Sequence, residues 1–575
     1  MTASAPAPAA RPRTRWILPQ QPDPDMVRGL CDELLLPEPI CRLLATRGHV
    51  PAELAKRYLR PRLDQLLPPE QLLDLGRAVE RIARAIQGGE TILVHGDYDV
   101  DGISSTTLLT KAFRALGGRV VPFIPRRLVD GYDLTEAGVQ AARDAGATVV
   151  VTCDCGTSAV SPVRDLQAAG IDVIISDHHL PGGDLPNAYA VLNPKRPGCR
   201  SEDKDLAAVG VAFKLALAVT RHLGGNENVV FGMLDLVALA TIADIAPLRG
   251  ENRVFARYGL KMLADTKNLG LRALIRSAGL DGKPLTAGRV GYILAPRLNA
   301  VGRLGHALRG VELLTAQSEH EANTIARELE ELNARRQEID RETLEQARRL
   351  VATLDLDDTY GIVLAQEGWH PGVIGIVASR IVEEYGRPTV LIALEGEEGK
   401  GSGRSISRFD LHAGIGSCRQ LLKRFGGHRS AAGVTIARDR IDEFTRCFNE
   451  AARAVLSPDD LVPELRIDLE VALADVTPGF EALLRHLEPC GVGNPSPMLV
   501  TRGVRLAAPP RVVGQGGLKL RFQTEDAPLE ALGWSLGHRI GELDVDRPVD
   551  IAFRLERDEY QGVSRLQAKL ADFRT

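Results

Sequence analysis

Between about residues 90 and 245, short apolar runs alternate with amphipathic stretches of helical period: TILVH (91–95), VVPFI (120–124), TVVVT (148–152) and DVIIS (172–176). Strands covered on both faces by crossover helices read as unbroken apolar runs, so this alternation predicts a parallel α/β sheet. Residues 233–243, MLDLVALATIA, are nearly all apolar and end at Asp244, which predicts a buried helix with a carboxylate at its end.

Acids and histidines fall where these strands stop. Asp97, Asp99 and Asp101 follow the first run in HGDYDVDG, Asp154 follows the third in TCDCGTS, and Asp177, His178 and His179 follow the fourth in SDHHLP. Ligands of open α/β sheets bind outside the carboxyl ends of the strands, so clusters remote in sequence are expected to meet in one crevice. Carboxylates gathered without counter-charge repel and raise one another's pKa values. Divalent cations remove that cost, and hard oxygen ligands with an imidazole suit Mn²⁺ or Mg²⁺. Two such ions about 4 Å apart can clamp the attacking and leaving oxygens of a phosphodiester. The residues therefore predict hydrolytic phosphoryl transfer, although any single Asp after a strand is more often a helix cap or a loop acid.

The rest of the chain predicts further domains, as 575 residues exceed one hydrophobic core. Residues 1–15, rich in Ala, Pro and Arg, predict a disordered tail. SEHEANTIARELEELNARRQEIDRETLEQARRLVA (318–352) lacks Gly and Pro and predicts a long connecting helix with a solvated charged face. A second α/β pattern follows, with YGIVLA, PTVLIAL and a Gly-rich stretch from 399. After about 460, GVRLAA, LKLRFQT, VDIAFRL and SRLQAKL predict a small β-barrel. A net charge of −4 argues against a protein that coats nucleic acid by global attraction, while leaving local basic clusters open. The eight cysteines show no Cys-x-x-Cys pair and predict reduced thiols, with Cys155 a small residue in a tight loop. No apolar run is long enough to span a membrane and the first residues lack the apolar core of a secretory signal, so a cytoplasmic protein is expected.

DYDVDG, DCG, the literal Asp-His-His at 177–179 and Asp244 in TIADIAPL resemble, in order and spacing, the four motifs of the DHH phosphoesterase superfamily. PRLNAVGRLGHA (296–307), GSGRS (401–405) and GGHRSAAG (426–433), with the β-rich tail, resemble its RecJ nuclease family. The resemblance implies a catalytic domain with an N-terminal extension over 16–315, a connecting helix over 316–356, a DHH-associated domain over 357–458 and an OB-fold over 459–575. It implies metal ligation by Asp99, Asp101, Asp154, His178 and Asp244, Asp154 bridging two Mn²⁺ or Mg²⁺ ions. His179 joins the catalytic set, and Asp97 and Asp177 hold the ligands from behind. His95 stands where other branches of the superfamily carry a ligand histidine and is an alternative ligand.

The same resemblance places Arg127, Arg303, Ser402 and Arg404 on substrate phosphates, the last three as a 5′-phosphate pocket, with Gly426, Gly427 and His428 on the substrate side of the cleft. Arg297 and Asn299 either support that wall or are structural. Arg502, Arg505, Arg511, Lys519 and Arg521 are candidates for a cationic track on the barrel. Phe522, Trp534, Phe553 and Tyr560 are assigned mostly to its core, and no stacking residue is named. The implied activity is 5′-to-3′ hydrolysis of single-stranded DNA to 5′-mononucleotides in recombination and repair. A monomer is implied, with a helicase and a single-strand-binding protein as conceivable partners. The alternative is a phosphodiesterase of short oligonucleotides or cyclic dinucleotides. Intact ligand positions speak against a noncatalytic adaptor.

Overall fold

The computed structural model describes residues 14–524, 528–560 and 563–575. They divide into two compact units, one built from 67–246 and 258–463, the other from 14–66, 247–257 and 464–575.

The first unit opens on a five-stranded parallel sheet in the order Arg119–Phe123, Thr91–Gly96, Val149–Cys153, Asp172–Ser176, Ala190–Leu192. Leu93, Val94, Val149, Val150, Val151, Val173, Ile174 and Ile175 are wholly buried, as a sheet covered on both faces requires. Ala190–Leu192 had no signal of its own because three residues carry no period. The apolar helix runs over Leu234–Ala243, with Asp244 as its C-cap.

The connecting helix spans Glu319–Val351, capped by Ser318, whose hydroxyl accepts the amide of Glu321. Ala322, Ile325, Ala326 and Leu329 on one face are buried, and most of the other residues of its first half are charged or polar.

Beyond it lies a mixed five-stranded sheet in the order Leu422–Gly427, Ala431–Ala437, Glu398–Arg404, Thr389–Glu395, Ile362–Glu367, parallel only between the last two. The Gly-rich stretch is thus an internal strand and not a turn. Its alternate glycines are dictated by the neighbours: a Cβ on Gly399 would come within 2.5 Å of Ile392, and one on Gly401 within 2.4 Å of Val434.

The reduced-thiol expectation needs correcting at two positions. Cys418 and Cys447 form a disulfide, their Cα atoms 6.1 Å apart. The fold of this small domain brings together residues 29 apart, a spacing that signals nothing in the sequence. Cys31, Cys41, Cys153, Cys155, Cys199 and Cys490 are free.

The second unit centres on a seven-stranded sheet in the order Leu469–Glu470, Leu499–Val504, Val549–Tyr560, Val563–Arg574, Leu529–Gly533, Gly517–Phe522, Arg511–Val513. Helices Pro24–Leu34, Glu38–Thr46 and Ala52–Leu59 share its core, where Leu30, Ile40, Leu43 and Leu44 cluster with Leu518, Phe522, Phe553 and Phe573. The N-terminal extension therefore belongs with the C-terminal segment, not with the catalytic domain to which the sequence attached it. An amphipathic helix announces an apolar face but not the distant segment that covers it. Residues 1–13 of the expected tail lie outside the described residues, and its last residue, Arg15, begins a strand, Arg15–Ile17, paired in parallel with Glu464–Arg466.

Candidate metal centre

The strand Thr91–Gly96 delivers its acids through a tight loop. A Cβ on Gly102 would lie 2.3 Å from the carbonyl of Asp97, so glycine is what lets the next helix, Val100–Ala115, start directly against that loop. Asp99 caps this helix, accepting the amides of Asp101 and Gly102 at 2.9 and 3.1 Å. Asn299 accepts the amide of Val100 at 3.2 Å and steadies the same turn. Asp101 accepts the amides of Ala208 and Val209, both at 2.8 Å, at the start of the helix Ala208–His222.

The strand Val149–Cys153 ends at Asp154, whose φ of 64° is left-handed, a conformation Asp tolerates better than most residues. Its amide donates to Ser176 at 3.0 Å, and the residue is 2% exposed. Asp177 accepts the amides of Thr157, His178 and His179 and, at 2.7 Å, Nδ1 of His179. The His178 Nδ1 lies 3.1 Å from the carbonyl of Leu206, to which it donates. That bond fixes the tautomer and leaves the Nε2 lone pair facing Asp154 at 3.2 Å and Asp244 at 3.8 Å.

Two groups of ligand atoms result, each within 4.8 Å: Asp97, Asp99 and Asp154, and Asp101, His178 and Asp244. Asp97 Oδ1, Asp154 Oδ1 and His178 Nε2 are buried and find no hydrogen-bond partner among the described residues. Burial, then the charges of Asp99, Asp101, Asp244 and Asp97, pushes Asp154 well above the ordinary carboxylate range. Asp101 is raised to about 7 by burial and by Asp99. Burial and the neighbouring His179 lower His178 to about 3, so its ring stays neutral. Unpartnered oxygens, mutual repulsion and a neutral imidazole are the donor set a divalent cation satisfies.

Asp97, assigned from sequence to a supporting place, stands among the ligand atoms themselves. Asp177 stays behind them. His179 reaches a third group with Asp154 and His178, yet the Nδ1 that lies 3.8 Å from Asp154 is the nitrogen bonded to Asp177. Although burial opposes it, the Asp177 hydrogen bond and charge raise His179 to about 9. His95 is not brought to the centre. It is wholly buried, with Nδ1 3.5 Å from Cys155 Sγ and its other side 2.7 Å from where a Gly138 Cβ would stand.

Three residues without an assigned role also shape the cleft. The hydroxyl of Tyr132 lies 3.3 Å from His179 Nε2, and Tyr98 sits between Tyr132 and Arg127, whose guanidinium is 4.7 Å from its ring centroid. Tyr98 lies inside HGDYDVDG, but a tyrosine carries no spacing that separates lining from core. The third is Lys195: burial and the charges of Asp101 and Asp99 raise the carboxyl of Asp244, and Lys195 acts with His179 to oppose them.

A cationic wall belongs to the same unit. Arg303 donates to the carbonyl of Gly372 at 2.9 Å, and Arg404 to Ser402 Oγ at 3.2 Å. A Cβ on Gly375 would lie 2.8 Å from Ser402 Oγ and 3.1 Å from Arg404, so this glycine at the start of the helix Ile374–Tyr385 makes room for both. Burial and the repulsion of Arg127, Arg336 and Arg404 lower Arg303 to about 10, the mark of guanidinium groups crowded without enough counter-charge. Arg297 does not join them: it pairs with Glu330 on the connecting helix at 2.5 and 3.1 Å. Gly426 and Gly427 end the strand Leu422–Gly427, and His428 follows, lowered by burial and by the repulsion of His179, His412 and Lys195.

A parallel sheet whose strand ends gather these acids around an Asp-His-His defines a DHH phosphoesterase. Its sequence matches the DHH family N-terminal domain over 91–241, the DHHA1 domain over 357–454 and the RecJ OB domain over 467–572. The chain is 35% identical over 563 residues to the single-stranded-DNA-specific exonuclease RecJ of Bacillus subtilis, covering 97% of this chain and 71% of that one. Against RecJ of Escherichia coli the identity is 35% over 553 residues, 92% of this chain and 95% of the relative. The crystal structure of RecJ from Thermus thermophilus in complex with Mn²⁺ superposes with a TM-score of 0.84 at 32% identity, over 98% of this chain and 80% of that one. The same protein has also been solved in complex with Mg²⁺. The chain belongs to the RecJ family.

Proposed function

We propose that this chain is a single-stranded-DNA-specific exonuclease that hydrolyses phosphodiesters from the 5′ end and releases 5′-mononucleotides, serving recombination and repair. One observation carries the reading: three buried, unpartnered ligand atoms, on Asp97, Asp154 and His178, meet at strand ends in the unit that also holds the guanidinium groups of Arg303 and Arg404.

Asp97, Asp99 and Asp154 would hold one divalent cation and Asp101, His178 and Asp244 a second, Asp154 reaching toward both through its 3.2 Å approach to His178. When bound, Mn²⁺ or Mg²⁺ supplies Lewis acidity and charge neutralisation at a phosphodiester. The protein supplies the rest. Asp177 orients His179, and Leu206 orients His178. Ser402, Arg404 and Arg303 bind the terminal 5′-phosphate, and Arg127 the phosphate path beside Tyr98.

No helix among the described residues is long and apolar enough to cross a membrane. A monomer working in the cytoplasm, on strands opened by a helicase and presented by a single-strand-binding protein, fits a cleft complete within one chain. The alternative, a phosphodiesterase of short oligonucleotides or cyclic dinucleotides, leaves the RecJ OB match over 467–572 without a role.

The pocket is tested by Arg404→Ala. The parent should degrade 5′-phosphorylated strands faster than 5′-hydroxyl strands, and the variant should lose about tenfold or more of that preference, as expected for a charged bidentate contact of roughly 1.5–3 kcal/mol. An unchanged preference would remove Arg404 from the pocket.

A further inference from the structure

Two of the eight cysteines, Cys418 and Cys447, are joined, and the other six are free. The loop closed by this bond, 418–447, contains the whole hairpin of the strands Leu422–Gly427 and Ala431–Ala437. At the tip of that hairpin stand Gly426, Gly427 and His428, the residues expected on the substrate side of the cleft.

The hairpin is lightly held on its outer side. Leu422–Gly427 is the edge strand of its sheet, paired only with Ala431–Ala437, and the pairing is irregular between Leu422 and Arg424. None of its six residues is fully buried. A strand with so few buried contacts opens locally at low cost.

Its fixed point lies just before it. Cys418 starts the turn Arg419–Leu421, which runs without a break into Leu422. Cys418 is wholly buried and shares a core with Ile415, Leu421, Phe444 and Phe448, the last two on the helix Ile441–Val455 that also carries Cys447. The short helix Leu411–Gly416 ahead of Cys418 holds the tip: the amide of Leu411 donates to the carbonyl of Arg429 at 2.9 Å, and the ring of His412 lies 5.6 Å from that of Phe425. The disulfide therefore fastens to Ile441–Val455 both the base of the edge strand and the helix that holds its tip.

We propose that the Cys418–Cys447 bond is a redox device that sets how firmly the turn at Gly426, Gly427 and His428 stands in the cleft. Oxidised, the hairpin has a covalently fixed base and the turn meets the DNA strand in one conformation. Reduced, the base is held by apolar packing alone and the turn exchanges among several. The proposal rests on the reading of this chain as a cytoplasmic single-strand nuclease, because in a reducing compartment a disulfide is more often a redox sensor than a brace. The two sulfurs are unequally placed for reduction: Cys447 is partly exposed and Cys418 is not. A thiolate of an external dithiol attacks Sγ of Cys447, the S–S bond breaks, and Cys418 leaves as a thiolate that takes up a proton. The second thiolate of the dithiol attacks the mixed disulfide and frees Cys447, so that two electrons pass to the protein and the dithiol departs as a cyclic disulfide.

The test uses the full chain, oxidised with diamide or reduced with dithiothreitol and desalted before assay with Mn²⁺. Alkylation after denaturation should label six thiols in the oxidised form and eight in the reduced one. Reduction should raise KM for a 5′-phosphorylated single strand about threefold or more, as when the competent turn is populated about a third of the time, and should leave kcat within about twofold. Hydrogen exchange should quicken over 422–431 and stay unchanged in the inner strand Thr389–Glu395. Reoxidation should restore both. Cys447→Ser, a change at a partly exposed position whose folding a melting curve verifies, should behave as the reduced parent after either treatment. Eight labelled thiols after diamide would overturn the device, as would a KM and an exchange pattern indifferent to reduction. Exchange quickened through the whole sheet would make the bond a structural brace and overturn it too. If neither form cleaves DNA, the nuclease reading fails, while exchange over 422–431 still decides for or against the device.

Discussion

Single side chains in the centre are set against stability, and pH exposes this. The raised pKa of Asp101, about 7 against an ordinary carboxylate near 4, means that the folded protein binds more protons than the unfolded chain between those values. Stability contributed there is present at low pH and lost as pH rises through the folded value, and burial with repulsion adds Asp154 to the same trend. A cation takes the place of the protons. Mn²⁺ should therefore raise the melting temperature more at pH 8 than at pH 5.5. Asp154→Asn, which keeps the left-handed backbone, should melt higher than the parent without metal, lose most of the Mn²⁺ increment and hydrolyse DNA at least about a thousandfold more slowly. An equal Mn²⁺ increment at both pH values would contradict this. The acids themselves were legible, because a carboxylate just after an apolar run is a sequence fact. Their division of labour was not: whether Asp97 or Asp177 faces the cleft depends on a loop closed by Gly102 and on three amides that converge on Asp177.

Among the elements, legibility follows period. The strand Asp172–Ser176 and the helix Glu319–Val351 fall within a residue of the runs 172–176 and 318–352 because each repeats its pattern long enough, while the helix stops short of both ends of the 316–356 segment. The strand Glu398–Arg404 hid because glycines chosen to fit Ile392 and Val434 look the same in sequence as glycines chosen for a turn. Arg297 shows the same ambiguity for a charge. Near a phosphate motif it reads equally as ligand or strut, and its pairing with Glu330 makes it a strut between the helix Ala295–Leu304 and the connecting helix. Arg297→Ala should lower the melting temperature, with a loss of about 1 kcal/mol or more, and leave the preference for 5′-phosphate intact. A changed preference with an unchanged melting curve would return Arg297 to the phosphate wall.

At the scale of the whole molecule, the sequence order of domains conceals a partnership of its two ends. Ile40, Leu43 and Leu44 are buried with Phe522, Phe553 and Phe573, a contact between segments more than 400 residues apart that no local pattern reveals. Deleting 464–575 should therefore bare the apolar faces of the helices Pro24–Leu34 and Glu38–Thr46, bind a hydrophobic dye and reduce solubility. A soluble, dye-free truncation would show that these helices need no cover. Direction of attack separates the possibilities, since the metal centre could serve any phosphodiester, whereas the proposed 5′-phosphate pocket of Arg303, Ser402 and Arg404 would recognise one kind of end. One measurement decides it: single strands of about 30 nucleotides, labelled at the 5′ or the 3′ terminus, digested with Mn²⁺ and resolved by length. The account predicts that the 5′ label appears at once as mononucleotide while the 3′-labelled strand shortens progressively; a 3′ label released first, or internal cuts with both labels on long fragments, would contradict it.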